Sequence, residues 1–190
     1  MRKLLGATCA LALSTTIAFA ANPQVELKTN LGIITVELYP DKAPQTVKNF
    51  LDYVQSDFYK GTVFHRVIAG FMIQGGGFTR TFEQKSTRDP VEIESANGLK
   101  NNTGSIAMAR TRNPNSATAQ FFINVADNDF LNYSSPTMQG YGYAVFGKVV
   151  KGMDVVNRIV RVPTGKGGPF PTDVPQQEVV IEDIQILEAK

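Results

Sequence analysis

A histidine and an arginine stand side by side in VFHRVIAGFMIQGG, residues 63–76, in an otherwise apolar run that ends in one glutamine and a string of glycines. His65 is the only histidine of the chain and Cys9 the only cysteine. A zinc site needs several such ligands, so that chemistry is excluded and no metal is expected. A Ser-His-Asp hydrolase presents its serine on a strand-to-helix elbow, and no G-x-S-x-G follows a strand here. GKGG at 165–168 lacks the spacing and the Ser/Thr of a phosphate loop and reads as a flexible turn. Lone histidines among apolar residues are most often packed and hydrogen-bonded, so His65 is expected to be structural. What remains are polar groups that are not nucleophiles: Arg66, Gln74 and Gln120, each beside large apolar side chains. Arginine is seldom fully buried without a partner, so Arg66 is expected to line the mouth of a cleft.

Positioning such groups falls to short strands. Residues 25–29 and 33–38 alternate around Asn30-Leu31-Gly32, a hairpin signal. Residues 43–55 carry Pro44 near their start and Val47, Phe50, Leu51 and Val54 at helical spacing. Strands are expected at 62–66, 71–75, 105–110, 120–125, 143–149 and 178–187, with a weak one at 91–93 and a second helix at 153–160. The Pro/Gly-rich stretch 163–175 is expected to be loop. The period of two puts Phe64 and Arg66 on one face with His65 on the other, Met72 with Gln74, and Gln120 with Phe122. Strands outnumber helices too heavily for a doubly wound fold, and the pattern predicts a closed or sandwiched antiparallel sheet.

With 43% hydrophobic and 19% charged residues among 190, the chain reads as one globular domain over residues 21–190, with no repeat, linker or composition break after residue 21. Residues 1–20 read differently. MRKLLGATCALALSTTIAFA has a basic start, an apolar run and a small-x-small end at Ala18-Phe19-Ala20, the layout of a cleaved secretory signal. The apolar run is shorter than the ~20 residues a membrane span needs. Only two leucines separate the basic pair from Gly6, too short a lead for a lipidated Cys9. Cleavage after Ala20 removes Arg2, Lys3 and Cys9, leaving acidic and basic residues in balance and no thiol. Nucleic-acid or membrane binding by charge is therefore not expected, and export to an oxidising space is.

Taken together, FHRVIAGFMIQGG (64–76), GSIAMAR (104–110), SATAQFFIN (116–124) and VFGKVVKGMDVV (145–156) resemble the cyclophilins, cyclosporin-binding peptidyl-prolyl cis-trans isomerases. The likeness runs over residues 25–187 with its blocks in order, and the signal and insert-poor chain are most similar to bacterial periplasmic members. It implies a closed eight-stranded antiparallel β-barrel capped by two α-helices, isomerase activity on X-Pro bonds of exported polypeptides, no cofactor and a periplasmic location. It matches Arg66 to the catalytic arginine, and Phe71, Met72, Phe122, Gln74 and Gln120 to the proline pocket. Ala109 and Arg110 match the strand edge that pairs with substrate backbone, and Phe130 and Leu131 the pocket wall. Arg110 stands where the family often has Asn, Tyr143 where many members have His, and Phe130 where many have Trp. The last two departures bear on cyclosporin affinity, expected to be weak, more than on catalysis. A proline-binding chaperone or interaction module with little turnover is the alternative, disfavoured because a pure binder has little need of Arg66. A monomer is the expected state.

Overall fold

The computed structural model describes residues 22–187. The hairpin signal is realised as β1 (Gln24–Thr29) and β2 (Gly32–Leu38), paired from Gln24–Glu37 to Thr29–Gly32. Helix α1 (Pro44–Gln55) follows, then β3 (Thr62–Ile68), β4 (Met72–Thr79), β5 (Ser105–Met108), β6 (Phe121–Asn124), β7 (Val145–Lys151), α2 (Met153–Val160), β8 (Thr164–Gly167), β9 (Phe170–Pro175) and β10 (Val180–Leu187). Eight strands close into an antiparallel barrel in the order β1-β10-β3-β4-β6-β5-β7-β2. The resemblance called for that architecture, and the two helices pack against it.

The barrel has no lumen. Alternating side chains from its strands, including Val25, Leu27, Ile34, Val36, Ile73, Phe121 and Ile181, fill the interior. From α1, Phe50 adds a ring 5.7 Å from Phe121, edge-on at 88°, and 5.2 Å from Phe146. Burying such rings is worth about 1.5–3 kcal/mol each, which fixes the helix more firmly than its propensity does. Ala43 offers α1 no side-chain cap. Glu94 supplies it from the long loop instead: its carboxylate accepts from the N–H groups of Gln45 (3.1 Å) and Thr46 (2.8 Å) and from the Thr46 hydroxyl (2.7 Å). An anion at that end also meets the positive pole of the helix. Met153–Val160 turns Val155, Val156 and Ile159 onto the barrel.

Three expectations are corrected. Residues 163–175 are not loop: β8 and β9 form a separate two-stranded hairpin turning at Gly168, φ +51°. Pro171 and Pro175 lack N–H donors, but a ribbon whose strands have one partner each tolerates that. Residues 91–93 form no strand beyond a single bridge from Val91 to Ala117.

The third correction concerns faces. Between Phe64 and Arg66, β3 carries one residue more than β4, because Phe64 pairs with Gly75 and Arg66 with Gln74. That bulge at His65 breaks the period of two. Phe64 points into the core, 1% exposed, while His65 and Arg66 both turn outward. The glycines after Gln74 then make sense. Gly76 has φ +82°, and a Cβ there would come within 2.9 Å of the Phe121 and Tyr59 rings. A Cβ at Gly77 would collide with the Gln120 side chain.

Candidate active site

On the outer face of β4, β5 and β6 a second, smaller apolar cluster forms from Met72, Ala107, Phe122, Leu131 and Val145, with Phe71, Ala109 and Tyr143 packed beside it. Above it opens a cleft of about 490 Å³, within the size range of a drug-sized ligand rather than of one ring. The alternation that buries Ile73 and Phe121 inside the barrel is what turns Met72, Gln74 and Phe122 into this cleft.

Arg66, Phe71, Met72, Gln74, Ala109, Arg110, Gln120, Phe122, Leu131 and Tyr143 all line the cleft. Phe130 does not. It sits in the short 3₁₀ turn Asp129–Leu131, 74% exposed, and stacks on Phe71 with centroids 5.6 Å apart and planes at 30°. It is therefore a rim residue supporting a wall residue. The Phe122 and Tyr143 rings meet edge-on at 5.5 Å. Arg110 is committed to that wall: its guanidinium lies 4.7 Å from the Tyr143 ring centre, and its Nε donates to the Gly142 carbonyl at 2.8 Å. The Gln74 side-chain amide donates to Gln120 Oε1 at 3.0 Å, so each orients the other.

Arg66 is the cation with freedom. Its side chain is 45% exposed, its guanidinium carbon lies 6.0 Å from the Phe71 ring centre, and its Nε is 3.9 Å from Asp173 Oδ2. His65 is the opposite. It is 4% exposed, with its ring 4.7 Å from Phe78 and 5.2 Å from Phe170. Burial pushes its pKa down to about 4; the Val63 carbonyl opposes this and the Arg66 charge adds to it. It is a neutral imidazole at neutral pH, wedged under the β8–β9 hairpin.

Two groups of site residues were missed from sequence. One is Phe170, Pro171, Thr172 and Asp173, which form a wall of the cleft from within the stretch read as loop. An aromatic residue in so polar a stretch was the available signal. The other is a buried asparagine chain behind the apolar seat. Asn128 Nδ2 donates to the Phe71 carbonyl (2.9 Å) and to Asn124 Oδ1 (2.7 Å). Asn124 Nδ2 donates to Ser105 Oγ (2.9 Å) and Asn101 Oδ1 (3.2 Å), and Asn101 Nδ2 to the Leu131 carbonyl (3.0 Å). This chain ties Phe71 and Leu131 to the barrel strands. Isolated asparagines give no periodic signal by which to find it.

Chemically, the arrangement offers an apolar seat, amide groups to hold a peptide backbone and one half-exposed guanidinium. Among the described residues no group of three or more His, Cys, Asp or Glu is gathered to hold a metal.

Residues 24–186 match the family model for cyclophilin type peptidyl-prolyl cis-trans isomerases. The chain is 57% identical over 164 residues to peptidyl-prolyl cis-trans isomerase B of Escherichia coli (strain K12), an alignment covering 86% of this chain and 99% of that one. It is 53% identical over 172 residues to peptidyl-prolyl cis-trans isomerase A of Dickeya dadantii (strain 3937), covering 90% and 88%. Among solved structures, a cyclophilin type peptidyl-prolyl cis-trans isomerase of Cryptosporidium parvum superposes with a TM-score of 0.76 at 31% identity, covering 89% of this chain and 99% of that one. A crystal structure of the same protein in the presence of the dipeptide Ala-Pro gives 0.74 at 32% identity, covering 87% and 99%.

Proposed function

The chain belongs to the cyclophilin-type peptidyl-prolyl cis-trans isomerases and has their activity, and from that premise we propose that Arg66 carries the catalysis, on X-Pro bonds of polypeptides exported with it to the periplasm. Rotation about an X-Pro bond breaks no covalent bond. Its barrier of about 18–20 kcal/mol comes from conjugation of the nitrogen lone pair with the carbonyl. Unaided, the turn takes tens to hundreds of seconds. A catalyst must hold one side of the bond still and favour the twisted amide, whose nitrogen becomes pyramidal and accepts a hydrogen bond.

Phe71, Met72, Phe122 and Leu131 form the seat for the prolyl ring, as the Ala-Pro dipeptide used with the Cryptosporidium parvum relative suggests for a ligand of this size. Gln74 and Gln120, already aligned by their mutual hydrogen bond, hold backbone groups of the residue before proline. Arg66 then donates to the prolyl nitrogen as it pyramidalises. A guanidinium keeps its proton across the physiological range, so no tuned base is needed. Apolar walls exclude water, which strengthens the bond where it forms. The observation carrying this reading is that the Arg66 guanidinium lines the cleft beside the apolar seat, 6.0 Å from the Phe71 ring centre. Export rests on the layout of residues 1–20, which lie outside the described residues, and the working unit is a monomer.

The test is turnover in a protease-coupled proline-peptide assay. Losing a donor used only in the transition state costs about 2.7–4 kcal/mol, so Arg66→Ala should lower kcat/KM roughly a hundred- to a thousandfold with its fold intact. Arg66→Lys should be nearly as poor, because an ammonium cannot reproduce the planar fork. Near-wild-type turnover in a folded Arg66→Ala rules the mechanism out.

A further inference from the structure

The barrel itself does little to aim Arg66. Gln74, its register partner across the ladder, gives its amide to Gln120. Among the described residues the charged group within ion-pair reach of Arg66 is Asp173, on a hairpin that lies outside the barrel. That hairpin is clamped next to the bulge that presents Arg66. Phe170 packs 5.2 Å from the His65 ring and 5.1 Å from Phe78, and Val174 is buried behind it. Asp173 is held in the left-handed region, φ +67°, which side chains other than glycine seldom adopt. The Thr172 hydroxyl donates to Asp173 Oδ2 at 3.1 Å, the same oxygen that faces Arg66. A constrained backbone and a local hydrogen bond thus fix a carboxylate beside the arginine.

We propose that Asp173 is a positioning residue for Arg66. It draws the Nε side of the guanidinium toward the hairpin and leaves the two terminal amino groups to face the proline seat. The spacing suits that role. At 3.9 Å, and from Nε alone, the pair attracts without the two-pronged bonding that would occupy the terminal donors. His65 acquires a purpose as well: facing outward next to Arg66, it is the surface on which the hairpin docks, and so it sets the distance from carboxylate to guanidinium. This proposal rests on the reading of Arg66 as the catalytic donor.

The experiment measures kcat and KM for a proline peptide alongside thermal unfolding. Asp173→Asn should lower kcat about three- to fivefold, the scale of a partly exposed ion pair, while KM moves less than about twofold and the unfolding midpoint stays put. Asp173→Glu should recover part of the loss. Asp173→Gly relieves the left-handed backbone, so it should raise the unfolding midpoint while kcat still falls; a structural role would move the two together. The ¹⁵N resonance of Arg66 Nε should shift in Asp173→Asn. In an Arg66→Ala background, Asp173→Asn should cause no further loss. Wild-type kcat in Asp173→Asn, or an equal drop in both backgrounds, overturns the positioning role and leaves that of Arg66 standing. Full turnover in Arg66→Ala alone would instead remove the reading on which it rests.

Discussion

His65 is the residue whose neighbours suggest chemistry and whose environment forbids it. Its pKa is lowered from an ordinary value of about 6.5 to about 4, chiefly by burial. Above pH 6.5 it is neutral whether the protein is folded or not. Between 6.5 and 4 the unfolded chain takes up a proton that the folded one refuses, so stability falls as pH falls, by up to about 3 kcal/mol near pH 4. Activity between pH 5 and 8 should be nearly flat, since the folded histidine does not titrate there. A sigmoidal rate change centred near 6.5 and abolished in His65→Gln would contradict this. Phe130 poses a separate residue-scale question. It keeps an apolar surface stacked on Phe71 but lacks the indole N–H of tryptophan. Phe130→Trp should tighten cyclosporin binding by up to about tenfold, one hydrogen bond of ~0.5–1.5 kcal/mol, with a much smaller change in prolyl turnover. Titration of both proteins decides it, and equal affinities would move suspicion to Tyr143. The cleft-lining places of Met72, Gln74, Gln120 and Phe122 were legible because uninterrupted alternation fixes their face. The face of Arg66 was not, because the one-residue bulge that parts it from Phe64 leaves no mark in a pattern of side-chain types.

Elements with a hydrophobic period were legible to within a few residues, and those held by particular polar contacts were not. Helix α2 was expected at 153–160 and stands at Met153–Val160. The β8–β9 hairpin was read as loop because glycine and proline carry the signal of a turn. Its order comes from elsewhere, from Phe170 against His65 and Phe78 and from the Gln176 side-chain amide, which donates to the Lys166 and Val174 carbonyls at 3.2 and 3.0 Å. The same lesson applies to α1, whose start was legible from Pro44 but whose cap was not, because Glu94 lies 48 residues away from Thr46. Removing that carboxylate leaves two backbone N–H groups and a hydroxyl without their acceptor. Glu94→Ala should cost about 0.5–2 kcal/mol of stability, the range of a lost helix cap, without touching kcat. Chemical unfolding reads the first and the peptide assay the second. A stability change below experimental error would mean that water serves α1 as well as Glu94 does.

At the scale of the whole molecule, closure of the barrel ties the two ends of the domain together, since β1 pairs with both β2 and β10. This bears on export. Among the described residues the Leu38 N–H donates to the Pro23 carbonyl at 2.9 Å, a barrel contact that lies downstream of the cut proposed after Ala20. The cut proposed after Ala20 would also remove Cys9, the only cysteine, and would leave a processed chain with no thiol to oxidise and no disulfide to form. The stability of such a chain would come from the packed core without a disulfide, at a size where one core suffices. Mass spectrometry of the native protein should therefore find an N-terminus at Ala21 or within a residue of it, and the unfolding midpoint of that product should be the same with and without reductant. A soluble cytoplasmic product that keeps Met1 would contradict export. A reductant-dependent midpoint would show that Cys9 had survived processing, and with it the leader.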